Sequence, residues 1–473
     1  MKILYAASEA LPFIASGGLA DVAGSLPKAL RNRQHACRVV IPYYSGIKQE
    51  LKENLKFITY FNVPLAWRNQ YCGVFEANVN GVIYYLLDNE YYFNRSGIYG
   101  FYDDAERFAF FSKAVVEMLE YIDFEPEIIH VNDWQTALVP VYLDYFYRNI
   151  EKYKNIKTVF TIHNIQYQGK YGLEILGDVL GLPPYAQASL EFDGCLNFMK
   201  GAIEHADVIS TVSPTYAQEI MDPWYSHGLD SILHAKRYKL KGILNGIDTS
   251  IYDPSSDQNL CEDFTPEDLT GKAADKAELQ RLMDMEENPD TMLIGMVTRL
   301  VSHKGLDLVK YIFNEIINKG MSVALLGNGD YAYEEFFQEM KDRYPGRVGV
   351  KIGFIPELAR KIYAGSDVFL MPSKSEPCGL AQMVALRYGT IPVVRETGGL
   401  KDSIIDLGAP EGKGNGFTFK TYNAHDMLGA LERAQKLYAN KDEWNQAVKN
   451  AMQCDFSWKR SAAEYVEMYK SIL

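Results

Sequence analysis

Two separate runs of short apolar segments, each followed by an amphipathic stretch, constrain this chain more than any other feature. The first run uses residues 2–7, 127–131, 158–162 and 208–212, with amphipathic stretches such as 107–122 and 136–147 between them. Buried strands of a parallel sheet are covered by helices on both faces, so they read as continuous apolar runs rather than as alternation. The second run begins at 291–298 and continues through 321–326, 349–353, 367–372 and 390–395. Two doubly wound, Rossmann-like α/β domains are therefore expected. The length of 473 residues agrees, because single cores stop growing at about 250–300 residues.

Within the first run, 56–63 and 71–87 read as antiparallel strands inserted into the first domain, with Asn80-Gly81 supplying the positive φ angles of a tight hairpin. The stretch 251–272 is polar and contains Pro254 and Pro266, and it follows the Leu244-Asn245-Gly246 turn, which places the linker near 241–250. The expected division is residues 1–245, 246–456 and a closing segment 457–473. Two such domains facing each other form a cleft at the carboxyl ends of both sheets, where open α/β folds bind ligands.

Lysine and arginine total 48 against 61 acids, a formal net charge of −13. A partner with a phosphate backbone needs a basic footprint, so neither nucleic acid nor an anionic membrane is expected. The six cysteines (Cys37, Cys72, Cys195, Cys261, Cys378, Cys454) show no paired spacing, which fits neither a disulfide framework nor a zinc site and points to a reducing compartment. The opening Met1-Lys2-Ile3-Leu4-Tyr5-Ala6-Ala7-Ser8-Glu9 turns acidic too soon for a signal peptide, and no apolar run is long enough to span a bilayer. A cytoplasmic protein is expected. Its 33 tyrosines suit sugar rings, although tyrosine also fills cores and interfaces.

Several strand-end loops carry candidate chemistry. Ala15-Ser16-Gly17-Gly18-Leu19-Ala20-Asp21 follows the first strand and opens a helix, where paired glycines let backbone amides approach an anion; a plain tight turn accounts for it equally. Thr298-Arg299 and His303-Lys304-Gly305 also link a strand to a helix. Two cations there suit a diphosphate whose charge grows as a glycosidic bond breaks, whereas either one alone also fits a solvated surface. Glu376 in Glu376-Pro377-Cys378-Gly379-Leu380 is read at a helix start, able to accept from sugar hydroxyls, and spacing alone also fits a simple helix N-terminal acid. Cys378 has no neighbouring base and reads as a packing or site-lining residue. Thr397-Gly398-Gly399-Leu400 and Gly327-Asn328-Gly329-Asp330 repeat the glycine pattern, and Asp133 and His163 end strands of the first domain.

Taken together, Ser16-Gly17-Gly18-Leu19-Ala20-Asp21, His163-Asn164, Leu244-Asn245-Gly246, Arg299 with Lys304-Gly305-Leu306, Glu376-Pro377-Cys378-Gly379-Leu380 and Thr397-Gly398-Gly399-Leu400 resemble the bacterial glycogen synthase and plant starch synthase family. The resemblance runs in register to Phe456-Ser457-Trp458. It implies a two-domain glycosyltransferase of the GT-B type that retains anomeric configuration and extends an α-1,4-glucan from ADP-glucose, with neither metal nor pyridoxal phosphate. It also implies a last helix, 457–473, that crosses back to the first domain. By the same resemblance Arg299 and Lys304 hold the diphosphate. The donor glucose falls to Glu376, Asn245 and the backbone of Cys378, Gly379 and Leu380, with Thr397, Gly398 and the Ala15–Gly18 loop also on the donor side and Phe354 near the adenine. Glu9, Asp21, Tyr99, Asp133 and His163 line the acceptor side, and His163 joins Arg299, Lys304 and Glu376 as the implied catalytic set.

The family motif opens with lysine where this chain has Ala15. That departure keeps open a catalytically weak glucan-binding or priming partner, and a UDP-glucose-dependent enzyme also remains, because both donors share the diphosphate and glucose. A glucan phosphorylase would need a lysine for pyridoxal phosphate, for which no pattern is present.

Overall fold

The first apolar segment becomes strand β1 (Lys2–Ala6), in which Ile3, Leu4, Tyr5 and Ala6 are fully buried. The computed structural model describes residues 1–410 and 412–473. Its chain separates into two units, one made of Met1–Ile243 with Trp458–Leu473, the other of Leu244–Ser457.

The sheet of the first unit contains β1, β2 (Ala36–Pro42), β3 (Lys56–Leu65), β4 (Arg68–Val79), β5 (Val82–Asp88), β6 (Ile128–Asn132) and β7 (Lys157–Ile162). A separate three-stranded sheet is formed by β8 (Lys170–Tyr171), β9 (Glu191–Phe192) and β10 (Cys195–Asn197), after which β11 (Val208–Thr211) and β12 (Leu240–Gly242) return to the main sheet. The main order is β12-β11-β7-β6-β1-β2-β5-β4-β3. Only β4 is antiparallel to its neighbours, and Asn80 and Gly81, with φ of 51° and 83°, make the turn between β4 and β5. The chain moves outward from β1 on one side, returns beside it at β6, and moves outward on the other. The switch point therefore lies between β1 and β6.

The helix Trp458–Lys470 belongs to this first unit, where it buries Trp458, Ala462, Tyr465 and Tyr469. Its anchor is His130 of β6, fully buried, with Nδ1 2.7 Å from the Tyr469 hydroxyl and Nε2 2.6 Å from Thr161 Oγ1. Arg33 adds a bond from Nη2 to the Lys459 carbonyl at 2.8 Å.

The second unit has six parallel strands, β13 (Leu293–Val297), β14 (Ser322–Gly327), β15 (Val348–Ile352), β16 (Val368–Met371), β17 (Ile391–Arg395) and β18 (Phe417–Phe419), in the order β15-β14-β13-β16-β17-β18. Here the switch point lies between β13 and β16. At the opposite end of these two strands, Asp367 Oδ2 accepts from Lys276 Nζ at 2.7 Å and from the Leu293 amide at 2.8 Å, which fixes the helix Thr270–Leu282 to the strand starts.

Candidate active site

In the second unit the loops after β13 and β16 flank the switch point, where parallel α/β sheets leave a crevice. Lys304 comes from the first loop and Glu376 from the second. Lys304 Nζ lies 2.9 Å from Glu376 Oε1 and 2.7 Å from Oε2, and Ser373 Oγ donates to Oε2 at 2.9 Å. Glu376 is 6% exposed. Burial alone would raise its pKa, but the Lys304 charge and these hydrogen bonds outweigh that and hold it below the usual carboxylate range.

The loops are held together by backbone contact. Gly305 has φ of 75°, and a side chain there would overlap the Pro372 carbonyl, while the Lys374 amide donates to the His303 carbonyl at 2.9 Å. Gly398 has φ of 45°, and a methyl there would overlap the Glu376 carbonyl. Gly399 then donates its amide to the Glu376 and Pro377 carbonyls at 3.2 and 3.1 Å. The Thr397-Gly398-Gly399 segment is thus glycine-rich because the backbone carrying Glu376 rests on it, a reason different from the anion contact that its pattern suggests. Glu376 itself is not at a helix start. The next helix begins at Ala381, so Lys304 and Ser373, not a helix dipole, secure the carboxylate.

Asn245 is buried beside this loop, its amide donating toward Cys378 and its side-chain Oδ1 carrying no hydrogen-bond partner. An acceptor left unmet in the interior costs about 1–3 kcal/mol and invites a hydroxyl. Burial pushes the Cys378 thiol up to about 12, so it is not a thiolate at neutral pH. Thr397 is buried and Leu380 immediately precedes the helix Ala381–Arg387. Arg299 is exposed and forms no ion pair among the described residues. Phe354 stands apart: it follows the edge strand β15 and is 88% exposed.

In the first unit, Glu9 follows β1 and Asp133 follows β6, again at the switch point, and His163 follows the neighbouring β7. Glu9 is 3% exposed and accepts from the Ser16 amide at 2.5 Å and from the Gly17 amide. The Ser16 and Gly17 amides of the Ala15–Gly18 turn, expected to meet an anionic ligand, therefore hold a carboxylate of the chain. Burial nevertheless pushes Glu9 up to about 7, with Asp21 in the adjacent helix turn adding repulsion, and burial takes Asp21 itself to about 6. Asp133 adopts φ of 55°, an uncommon conformation for a non-glycine residue, and its Oδ1 accepts from the His163 amide at 2.7 Å. Tyr99 reaches in from another loop, its hydroxyl 2.7 Å from Ser8 Oγ.

Asn132 is the residue that sequence reading misses here. Its Nδ2 donates to the Ala6 carbonyl at 2.9 Å, which turns Oδ1 toward Tyr5, whose hydroxyl donates at 2.9 Å, and toward His163 Nε2 at 2.8 Å. Nε2 must then carry the proton, leaving Nδ1 with its lone pair. Burial lowers the His163 pKa to about 3, so the ring is neutral. An asparagine ending an apolar strand gives no sequence signal beyond that of a turn residue.

Burial pushes Asp133 from its ordinary 3.8 to about 7, so between these values the native state holds a proton that the unfolded chain releases. Stability contributed by this group is complete below the lower value and is lost as pH rises through the upper. Asp133→Asn keeps an acceptor for the His163 amide and cannot ionise. It is expected to raise Tm by about 4 °C at pH 8, the scale of 1–2 kcal/mol in a protein of this size, and by less than half as much at pH 5. Thermal melts showing the same shift at both pH values would contradict this.

Among the described residues no group of three or more His, Cys, Asp or Glu side chains is arranged to hold a metal ion, and no helix is long and apolar enough to cross a membrane. Residues 2–235 match the family model for the starch synthase catalytic domain, and residues 283–452 match that for group 1 glycosyl transferases. With two doubly wound units, this defines a glycosyltransferase of the GT-B type. The glycogen synthase of Desulforamulus reducens is 48% identical over 100% of this chain and 99% of its own, and that of Geobacillus thermodenitrificans is 49% identical over 100% and 98%. The structure of the catalytic domain of Arabidopsis thaliana starch synthase IV bound to ADP and acarbose is similar with a TM-score of 0.92 and 33% identity, covering 100% of this chain and 99% of that one. A sucrose-phosphate synthase from Thermosynechococcus elongatus, at a TM-score of 0.62 and 15% identity over 100% and 98% of the two chains, shares the fold. The chain belongs to the bacterial glycogen synthase family, and it is a glycosyltransferase that extends a glucan from a nucleotide sugar.

Proposed function

We propose that the chain transfers glucose from ADP-glucose to the non-reducing end of an α-1,4-glucan in the cytoplasm, with retention of configuration and without metal ion or pyridoxal phosphate. The observation that carries this reading is the pairing of Lys304 with the buried Glu376 at the β13/β16 switch point. Lys304 keeps one N–H beyond the two that face Glu376, and with Arg299 it supplies positive charge to a departing diphosphate. Glu376 and the unmet Asn245 Oδ1 are acceptors for glucose hydroxyls. Glu9, Asp21, Tyr99, Asp133 and His163 take the acceptor side.

Retention then follows from attack on the face that the diphosphate leaves. The bond from the anomeric carbon to the phosphate oxygen breaks with its electron pair going to the phosphate. The acceptor hydroxyl oxygen forms the new glycosidic bond, and its proton passes to that phosphate. No strong protein base is required, which agrees with a neutral His163 whose Nδ1 lone pair favours positive charge on the sugar. The high Cys378 pKa also argues against a thiolate nucleophile. Support for the donor comes from the 33% identical relative, whose structure is bound to ADP and acarbose.

Turnover with both donors on one maltooligosaccharide tests the reading. ADP-glucose is expected to exceed UDP-glucose by at least about tenfold in kcat/KM, or roughly 1.4 kcal/mol of differential binding, with EDTA without effect and the new linkage α by NMR. Equal rates, a UDP-glucose preference or a β linkage would overturn it.

A further inference from the structure

Tyr99 sits on the loop that joins the short helix Glu90–Phe93 to the long helix Asp104–Glu117, and the backbone on either side of it is held by one ion pair. Arg107 is 0% exposed. Its Nε donates to the Tyr92 carbonyl at 2.6 Å, and Nη1 donates to the Ile98 carbonyl at 3.0 Å and to Asp104 Oδ1 at 2.7 Å. The other oxygen of Asp104 accepts from the Gly100 amide at 2.8 Å. The pair thus grips the backbone on both sides of Tyr99, one residue before and one residue after. Arg95 closes the base of the loop through two bonds to Asp103, at 3.1 and 2.7 Å, and the Phe101 ring lies near both guanidinium groups, 4.8 Å from Arg107 and 5.3 Å from Arg95.

A surface ion pair contributes little to stability, and a buried one is retained at the cost of desolvating two charges. Arg107 Nη2 is moreover buried with no partner, so stability alone does not explain the arrangement. What the geometry does achieve is position. The Tyr99 hydroxyl meets Ser8 Oγ, and the Ser8 carbonyl accepts from Tyr44 at 2.8 Å, so the loop is fixed against the end of β1, one residue before Glu9.

We propose that Asp104 and Arg107 are positioning residues for the acceptor glucan: they clamp Ile98 and Gly100 so that Tyr99 is presented beside Ser8 and Glu9, and they touch no substrate themselves. This inference rests on the placement of Tyr99 on the acceptor side. It assigns to a pair beneath the loop the control of how tightly the growing chain is held.

The test measures donor KM, acceptor KM and kcat with a maltooligosaccharide for Tyr99→Ala, Asp104→Asn and the double variant. Asp104→Asn is expected to raise the acceptor KM about fivefold, leave the donor KM within about twofold and keep at least half of kcat. The same change should be absent once Tyr99→Ala is in place, because contacting residues in one pathway are not additive. A folded Asp104→Asn protein with an unchanged acceptor KM, with both KM values raised alike, or with an effect that adds to that of Tyr99→Ala overturns the clamp. A silent Tyr99→Ala removes the acceptor-side placement and the clamp together, whereas an effect of Tyr99→Ala without one of Asp104→Asn removes the clamp alone. If Asp104→Asn does not fold, Gly100→Ala decides by the same readings: its φ of +92° resists a side chain, no atom lies within 4 Å, and the same anchor is loosened from the loop side.

Discussion

Glu376→Ala lowers kcat by about a hundredfold or more while the protein remains folded, and Lys304→Ala does the same. Each side chain is the other's counter-ion, at 2.7 and 2.9 Å, so either truncation strands one charge in the crevice. Glu376 would be left at 6% exposure with only Ser373 to satisfy it, and its pKa would move upward because burial would no longer be opposed. The lost interactions fall on the sugar and the leaving group, where charge develops, and a hundredfold corresponds to about 2.7 kcal/mol of transition-state stabilisation. Folding should survive, because the two loops are fastened by the Gly305 and Gly398 contacts and the Lys374 amide rather than by the ion pair. Steady-state kinetics alongside circular dichroism decide the point. A folded variant of either kind with near-normal turnover would remove that residue from the chemistry.

Ala15→Lys lowers the donor KM by roughly tenfold with little change in kcat. The resembling family has a lysine here, and a hydrogen bond from an ammonium to phosphate is worth roughly 1.5–3 kcal/mol. The amides of Ser16 and Gly17 do not make up for its absence, because they hold the Glu9 carboxylate. Glu9 and Asp21, the two acids beside the turn, both have pKa values raised by burial, and an added cation would lower both. A contact made equally in the ground and transition states appears in KM rather than kcat. An unchanged or higher donor KM in the folded variant would mean that another group already meets the phosphates.

The sequence makes the strand ends legible and leaves the contacts between them hidden. Asp133, His163, Arg299 and Lys304 each follow an apolar run, so the doubly wound pattern alone assigns them to the carboxyl edge of a sheet. Two strands beside one switch point are not marked in the same way, since strand order is set by pairings between residues far apart in sequence. The position of Glu376 illustrates this: it reads as a helix start, whereas the chain runs four more residues, in contact with Gly398 and Gly399, before Ala381 begins the helix. Asp104 and Arg107, spaced i,i+3, carry no sequence signal that separates a buried pair from an exposed one, and only packing shows both to be buried. The three-stranded sheet of β8, β9 and β10 and the short β18 have strands of two or three residues, below the length at which apolar alternation is readable.

The segment Trp458–Leu473 completes a unit whose other residues all precede Leu244. On a ribosome, Met1–Ile243 therefore emerges with the surface around His130 uncovered, and it stays so through synthesis of the entire Leu244–Ser457 unit. The second unit is continuous and has all its strands once its own residues are out, so it needs nothing from downstream. Domains of a nascent chain generally fold as they are released, amino-terminal first. In this chain the order is inverted: the unit translated first is the one that finishes last, and until then its exposed seam is what a chaperone would have to guard.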